Sequence, residues 1–226
     1  MARSVVITGG TGGLGAAVTP AFIEDGWDVV VPWVVPEELD RVERHERLRL
    51  VEADLMDPAS AAAVCDAAGD GLRALVNLVG GFAMGGRVHE TPVEEFEAQL
   101  RLNLRPTYLM AAAVVPRLLA AGGGAIVCVS SRAARQPFPG AAGYVTGKAA
   151  VLALVDVLHA EYAGDGIRTN AILPSVIDTP ANRASMPDAD FDTWVKPDEI
   201  ARVVRFLCSD DAAVTSGGHI PVYGRA

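Results

Sequence analysis

The chain has 226 residues, 50% hydrophobic, 21% charged and 6% aromatic, which fits one generous domain whose core needs neither disulfide nor metal. Its 28 acidic against 19 basic residues give a net charge of −9, which argues against a nucleic-acid binder and against a protein held on an anionic membrane surface. The three cysteines and four histidines are scattered without disulfide or metal-site spacing, no apolar run reaches about 20 residues and no leader pattern opens the chain; the expectation is a reduced, soluble, cytoplasmic protein without metal.

Strand-length apolar runs alternate with helical patterns. Residues 4–8 (S-V-V-I-T) form a short β-branched strand, a glycine-rich turn follows, and residues 14–25 read as a helix. Residues 28–35 make the second strand; residues 37–47 are charged and helical, with Pro36 suited to the first turn. Residues 48–52 are a third strand, 58–68 an alanine-rich helix, and 72–79 a fourth strand ending on Gly80-Gly81. Thr91 is the expected N-cap of the next helix, with Glu94 closing a capping box; the helix runs to about residue 121 in two pieces broken near Pro106, and Gly122-Gly123-Gly124 stops it. Residues 125–130 are a fifth strand, 141–163 a long amphipathic helix, 167–173 a sixth strand, 197–208 a helix and 219–222 a final short strand. Residues 178–196, with Pro180, Pro187, Asp188 and Asp190, read as a mobile loop.

Strands this apolar are buried on both faces. The β-α alternation then predicts an α/β fold: a doubly wound, Rossmann-type parallel sheet of about seven strands, helices on both faces, in a single domain over residues 1–226.

Thr8-Gly9-Gly10-Thr11-Gly12-Gly13-Leu14-Gly15 lies between the first strand and the first helix. Amides at a helix N-terminus face an anion, and missing Cβ atoms let the chain come close, so this turn is the expected pyrophosphate seat of a dinucleotide. An acid often closes the second strand of such folds to hold the ribose hydroxyls. Trp33 stands there instead, between Pro32 and Val34, with neither a carboxylate for NAD nor a base for a 2′-phosphate; the choice of NAD or NADP stays open. Trp33 is either an ordinary core or surface aromatic or a platform beside the adenosine.

Tyr144 and Lys148 stand four apart near the start of the long helix, hence on one face, one turn apart. A free phenol is a poor base at neutral pH. An adjacent ammonium and a positively charged oxidised nicotinamide favour its phenolate, which would let Tyr144 exchange a proton with a substrate oxygen while hydride moves.

The spacing T-G-x-x-x-G-x-G, with Gly9, Gly13 and Gly15 as its glycines, together with Y-x-x-x-K, resembles the short-chain dehydrogenase/reductase family, in its compact branch, over nearly the whole chain. The resemblance implies an NAD(P)-dependent oxidoreductase that interconverts a carbonyl and an alcohol. It assigns Ser131, thirteen positions before Tyr144, to the substrate oxygen, Lys148 to the tyrosine and the nicotinamide ribose, and Asn103 to a water that relays protons from Lys148. Thr11, Gly12 and Leu14 join the phosphate turn; Asp54, with Leu55, matches the aspartate at the adenine edge. Asn77-Leu78-Val79-Gly80 stands where the family has N-N-A-G, so Asn77 and Gly80 are expected beside the cofactor. Pro174, Ile177 and Thr179 fit the P-G-x-x-x-T that grips the nicotinamide, with Ser175 in place of glycine.

Substrate walls are expected from Phe82, Met84, Phe138, Phe191 and Trp194, with Phe82, Phe138 and Trp194 joining Ser131 and Tyr144 in the binding set. This favours a small or medium apolar carbonyl or alcohol. Arg87, Arg132 and Arg135 are either receptors for an anionic group or solvated surface residues. Relatives pair the long helix and the preceding one across a two-fold axis, which implies a homodimer or homotetramer. Two rival readings share these residues: a redox-silent nucleotide sensor or scaffold, and a reductase of a C=N bond or quinonoid ring resembling dihydropteridine reductases.

Overall fold

A computed structural model describes residues 3–225 of the chain. Seven strands, all parallel, form one sheet: β1 (Ser4–Thr8), β2 (Asp28–Trp33), β3 (Leu48–Glu52), β4 (Leu72–Asn77), β5 (Gly124–Val129), β6 (Ile167–Pro174) and β7 (His219–Val222), in the order β3-β2-β1-β4-β5-β6-β7. Helices α1 (Gly15–Glu24), α2 (Pro58–Ala68), α3 (Val93–Ala120), α4 (Ala142–Tyr162), α5 (Pro180–Ser185) and α6 (Pro197–Cys208) complete the fold. All five residues of β1 are buried, as two-sided coverage requires.

The apolar side chains form two layers. Val6, Leu75, Ile126 and Leu173 pack with Val64, Met110, Val114 and Val155 of α2, α3 and α4. Val5, Ile7, Val76 and Val127 pack with Val18 and Phe22 of α1 and with Ile200, Val204 and Leu207 of α6. Chain order reverses between β1 and β4. A crevice therefore opens at their C-terminal ends, where Thr8 and Asn77 stand opposite each other.

Four local expectations need correction. The charged helix over 37–47 is only a 3₁₀ segment, Pro36–Arg41, with no buried residue; lacking an apolar face to pack, it does not propagate. Thr91 caps nothing: its hydroxyl donates to the carbonyls of Gly86 and Arg87, and Pro92 takes the N-cap place. Helix α3 is one element with Pro106 and Pro116 inside it, because the buried face around Pro106, Thr107 and Met110 holds it through the missing hydrogen bonds. The stretch after β6 is built rather than loose: α5 and a 3₁₀ turn (Phe191–Thr193) occupy it, Arg183 pairs with Asp178, and its guanidinium lies 4.5 Å over the Phe191 ring.

One expectation about apolar runs also shifts. Residues Ala142–Asp165 are long and apolar enough to cross a membrane by length and composition. In the fold this helix presents Gly143, Gly147, Lys148, Val151, Leu152, Val155 and Leu158 to the interior, the stripe of a helix packed on a sheet.

Candidate active site

The turn after β1 is shaped by close approaches. Gly9 has φ +67°, and a Cβ there would lie 3.1 Å from the Val79 amide. A Cβ at Gly15 would overlap the carbonyl of Gly9. The amides of Gly13 and Leu14, at the α1 N-terminus, donate to no backbone acceptor among the described residues, and no acidic residue occupies the first turn. A Cβ at Gly13 would meet Thr179 Cγ2 at 3.0 Å, so the segment after β6 faces the turn. Free amides at a helix N-terminus, glycines that admit close approach and a hydroxyl opposite fit a diphosphate.

Around this turn the predicted residues divide. Thr8 Oγ1 accepts from the amides of Leu78 and Val79 and donates to Asn77 Oδ1 at 3.4 Å, so Asn77 ties β1 to β4. Asp54 Oδ1 accepts from the Met56 amide, closing its own loop, and the Leu55 side chain is buried in the core. Pro174 ends β6, and Ser175, in place of glycine, donates its hydroxyl to the Tyr223 carbonyl at 2.7 Å. Thr179 Oγ1 caps α5 by accepting from the Asn182 amide, while the Ile177 carbonyl accepts from Asn182 Nδ2 at 2.8 Å.

Trp33 is half-buried at the end of β2 and faces Glu52 of β3. The strand end itself carries no carboxylate, and one is found a little beyond it. Pro36 starts the 3₁₀ segment, and Glu38, five residues past Trp33, accepts a hydrogen bond from the Thr11 hydroxyl. Proline at the first helical position was the legible signal; the turn it makes back toward the glycines was not.

Further along the crevice stand the four remaining residues. Ser131 follows β5, where its Oγ accepts from the Ala133 amide at 3.2 Å and caps a 3₁₀ turn, and it is the side chain that draws the Tyr144 phenol down. Ser130, its neighbour, is removed from the chemistry: its hydroxyl is buried and donates to the Lys148 carbonyl at 2.7 Å. Lys148 is buried on α4, and its Nζ donates to the Val129 carbonyl at 3.1 Å. Asn103 is fully buried on α3; Nδ2 donates to the carbonyls of Gly81 and Gln99, and Oδ1 accepts from the Gly81 amide. Helix α4 comes this close through glycines, since a Cβ at Gly147 would lie 3.2 Å from Asn103 Cβ. Gly80 lies between the Asn103 and Lys148 side chains: a Cβ there would stand 2.7 Å from both Asn103 Oδ1 and Lys148 Nζ. The match to N-N-A-G singled out Gly80 over Gly81 for a place beside the cofactor; its close approach to Asn103 and Lys148 was not legible.

The electrostatics differ from the simple expectation. Burial pushes the Tyr144 phenol above its ordinary value, and the hydrogen bond with Ser131 offsets this only in part. Burial also pulls the Lys148 amine down to about 8, against a smaller opposing influence of Cys128. The free chain thus holds a neutral phenol, and adjacency to Lys148 alone does not make it acidic.

Phe82 packs edge-on against Tyr144, ring centroids 5.0 Å apart, and Phe138 lies 6.3 Å from Phe82. Both phenylalanines are largely exposed, so this wall is open. Beside it runs a cleft of about 590 Å³ between residues 86–89 and 137–146, lined by Arg87, Val88, Phe138 and Val145 but by neither Ser131 nor Lys148. Trp194, by contrast, is buried and stacks edge-on with Phe191 at 4.8 Å. Arg132 lies 5.6 Å over the Tyr223 ring, and Arg135 approaches His219 Nδ1 at 2.5 Å. Among the described residues no three His, Cys, Asp or Glu side chains converge as metal ligands.

The family model for short chain dehydrogenases matches residues 3–190. The chain is 32% identical to 2-(R)-hydroxypropyl-CoM dehydrogenase of Xanthobacter autotrophicus, over 99% of this chain and 98% of that one. It is 31% identical to D-threitol dehydrogenase of Mycolicibacterium smegmatis, over 98% and 92% of the two chains. Among solved structures, a short-chain type dehydrogenase/reductase from Mycobacterium ulcerans superposes with a TM-score of 0.91 at 25% identity, covering 99% of this chain and 89% of that one.

Proposed function

Because the chain belongs to the short-chain dehydrogenase/reductase family and is an NAD(P)-dependent oxidoreductase of the alcohol–carbonyl type, we propose that Tyr144 carries the proton of its reaction, supported by Ser131, Lys148 and Asn103. The observation that carries this reading is the convergence of buried Lys148 and Asn103 on Gly80, beyond the C-terminal end of β4, with Tyr144 one turn before Lys148 on α4 and packed against Phe82.

When bound, the nicotinamide accepts or delivers hydride at the substrate carbon. The chain's residues then manage the oxygen. Ser131 and Tyr144 both direct hydroxyls at it. In reduction, the neutral phenol gives its proton to the developing alkoxide, and burial leaves it in the protonated form this step needs. In oxidation, the phenol must first lose a proton, and the Lys148 ammonium together with positive charge on the ring supplies the missing stabilisation. Lys148 would also hold the ribose of a bound cofactor. Asn103 fixes the Gly80–Gly81 backbone against which the amine lies, and a water on its side of α3 would return protons from solvent.

The diphosphate sits on Gly9, Thr11, Gly12, Gly13 and Leu14 and faces Thr179. Trp33, Asp54 and the backbone of Leu55 would border the adenosine, and Asn77, Gly80, Pro174 and Ile177 the nicotinamide half. The substrate lies against Phe82 and Phe138 and is a small hydroxyl-bearing compound or its ketone, in keeping with the hydroxyl substrates named for both curated relatives. Trp194 supports the segment behind Thr179 through Phe191 rather than lining this wall. The chain acts in a reducing, cytoplasmic setting, in keeping with three free, buried thiols, and forms a homodimer or homotetramer through α3 and α4, where Tyr108 and Val157 are exposed. The test is a panel of three- to eight-carbon secondary alcohols and ketones, read at the nicotinamide absorbance with NAD⁺/NADH and NADP⁺/NADPH side by side. Turnover with a member of the panel that vanishes in Tyr144→Phe supports the reading; undiminished turnover refutes it.

A further inference from the structure

We propose that Glu38 selects NAD over NADP, replacing from outside the strand the carboxylate that β2 itself lacks. This rests on the dinucleotide reading of the glycine turn. In such folds an acid at the end of the second strand binds the adenosine ribose hydroxyls, and a base there accommodates a 2′-phosphate. Strand β2 ends in Pro32-Trp33, and residues Val34 and Val35 beyond it are equally uncharged. Pro36 then opens a 3₁₀ segment that carries Glu38 back over the turn, where its carboxylate accepts from the Thr11 hydroxyl.

Three features give this contact its meaning. Thr11 belongs to the glycine turn, so Glu38 stands beside the diphosphate seat on its β2 side, where the adenosine ribose follows. Thr11 is buried and Glu38 half-buried, so the pair is sheltered from the screening that cancels surface charge. The turn over residues 9–15 and the strand end over 32–35 hold neither Lys nor Arg; the first base after β2 is Arg41, one 3₁₀ turn past Glu38. A carboxylate beside two neutral hydroxyls accepts from both. Beside a 2′-phosphate it meets two further negative charges, with no cation in the glycine turn or at the end of β2 to offset them.

The test is calorimetric titration of the full chain, without substrate, with NAD⁺ and with NADP⁺. The wild type is expected to bind NAD⁺ at least about tenfold more tightly, a difference of about 1.4 kcal/mol. Glu38→Gln, a neutral isostere on a partly exposed segment, is expected to bring the two affinities to within about threefold, and Glu38→Arg to reverse the order. Equal affinities in the wild type, a preference for NADP⁺, or a preference for NAD⁺ that survives both substitutions overturns the role of Glu38 while leaving the nucleotide site standing. Binding of neither dinucleotide overturns the site and Glu38 with it. Equal melting temperatures of the three proteins confirm that the ratios report recognition and not folding.

Discussion

Gly80→Ala places a methyl group between Asn103 and Lys148 and makes a quantitative test of the geometry of the active site. The new Cβ would stand 2.7 Å from both Asn103 Oδ1 and Lys148 Nζ. A comfortable contact begins at about 3.5 Å, so each atom must yield by roughly 0.8 Å, or one by more. Asn103 is short and held by the Gly81 amide, the Gly81 carbonyl and the Gln99 carbonyl. Lys148 is long and held at its tip by the Val129 carbonyl alone, so the amine moves. Because a flexible side chain absorbs the strain, the stability loss lies at the low end of overpacking, about 1 kcal/mol, or roughly 2–4 °C in melting temperature for a chain of this size. The loss of function is larger, since an ångström of misplacement at a catalytic group lowers the rate on the order of 100-fold. Steady-state kinetics with the best substrate of the panel, paired with thermal melting, measures both. Gly164→Ala is the control: a Cβ there meets nothing within 4 Å, so rate and melting temperature should stay put. Wild-type kcat in Gly80→Ala would refute the placement of Lys148 and Asn103 around this glycine.

Further outcomes follow from the same coordinates. Since burial holds the Tyr144 phenol above its ordinary value, carbonyl reduction should stay level from pH 6 to pH 8 while alcohol oxidation climbs with pH; an oxidation rate that falls over that range contradicts the neutral phenol. Lys148 falls to about 8 on burial, so between that value and its ordinary one the unfolded chain binds the extra proton and stability rises with pH; relative to Lys148→Met, the wild type should gain stability from pH 7 to pH 10 in denaturant titrations. Ser175→Gly removes the 2.7 Å bond to the Tyr223 carbonyl and loosens the backbone, for a loss of about 1–2 kcal/mol by urea unfolding. Burial pushes Cys65 and Cys128 up to about 11 and Cys208 up to about 12, so Ellman's reagent at pH 8 should label the native chain slowly and all three thiols once guanidinium is added.

The strands were legible because each is an apolar run bounded by turn residues, and all seven lie where the pattern places them. Helices with an apolar face, such as α2 and α6, were legible for the same reason. What failed were features decided by contacts distant in sequence. Nothing near residues 37–47 says that no partner will cover them, and nothing near Pro106 says that α4 and the sheet will hold α3 straight. The order of Ser131, Tyr144 and Lys148 was readable from spacing, and the thirteen positions before Tyr144 pointed to Ser131; that the Lys148 carbonyl takes the neighbouring Ser130 hydroxyl was not readable. The acidity of Tyr144 was misjudged for a similar reason, since adjacency is visible in a sequence and burial is not. The Thr11–Glu38 contact was not legible because the two residues lie 27 positions apart, on either side of β2 in the chain.

The central claim is that the Tyr144 hydroxyl moves the proton, and single-turnover kinetics of Tyr144→Phe tests it most directly. Cofactor and a substrate from the panel are mixed with enzyme in excess, the nicotinamide absorbance is followed, and cofactor affinity is measured separately by calorimetry. The hydride-transfer rate should fall about 10³-fold while the cofactor dissociation constant stays within about twofold, because the ring and its packing on Phe82 are kept. A rate equal to that of the wild type, at unchanged cofactor affinity, would assign the proton to another group and contradict the account.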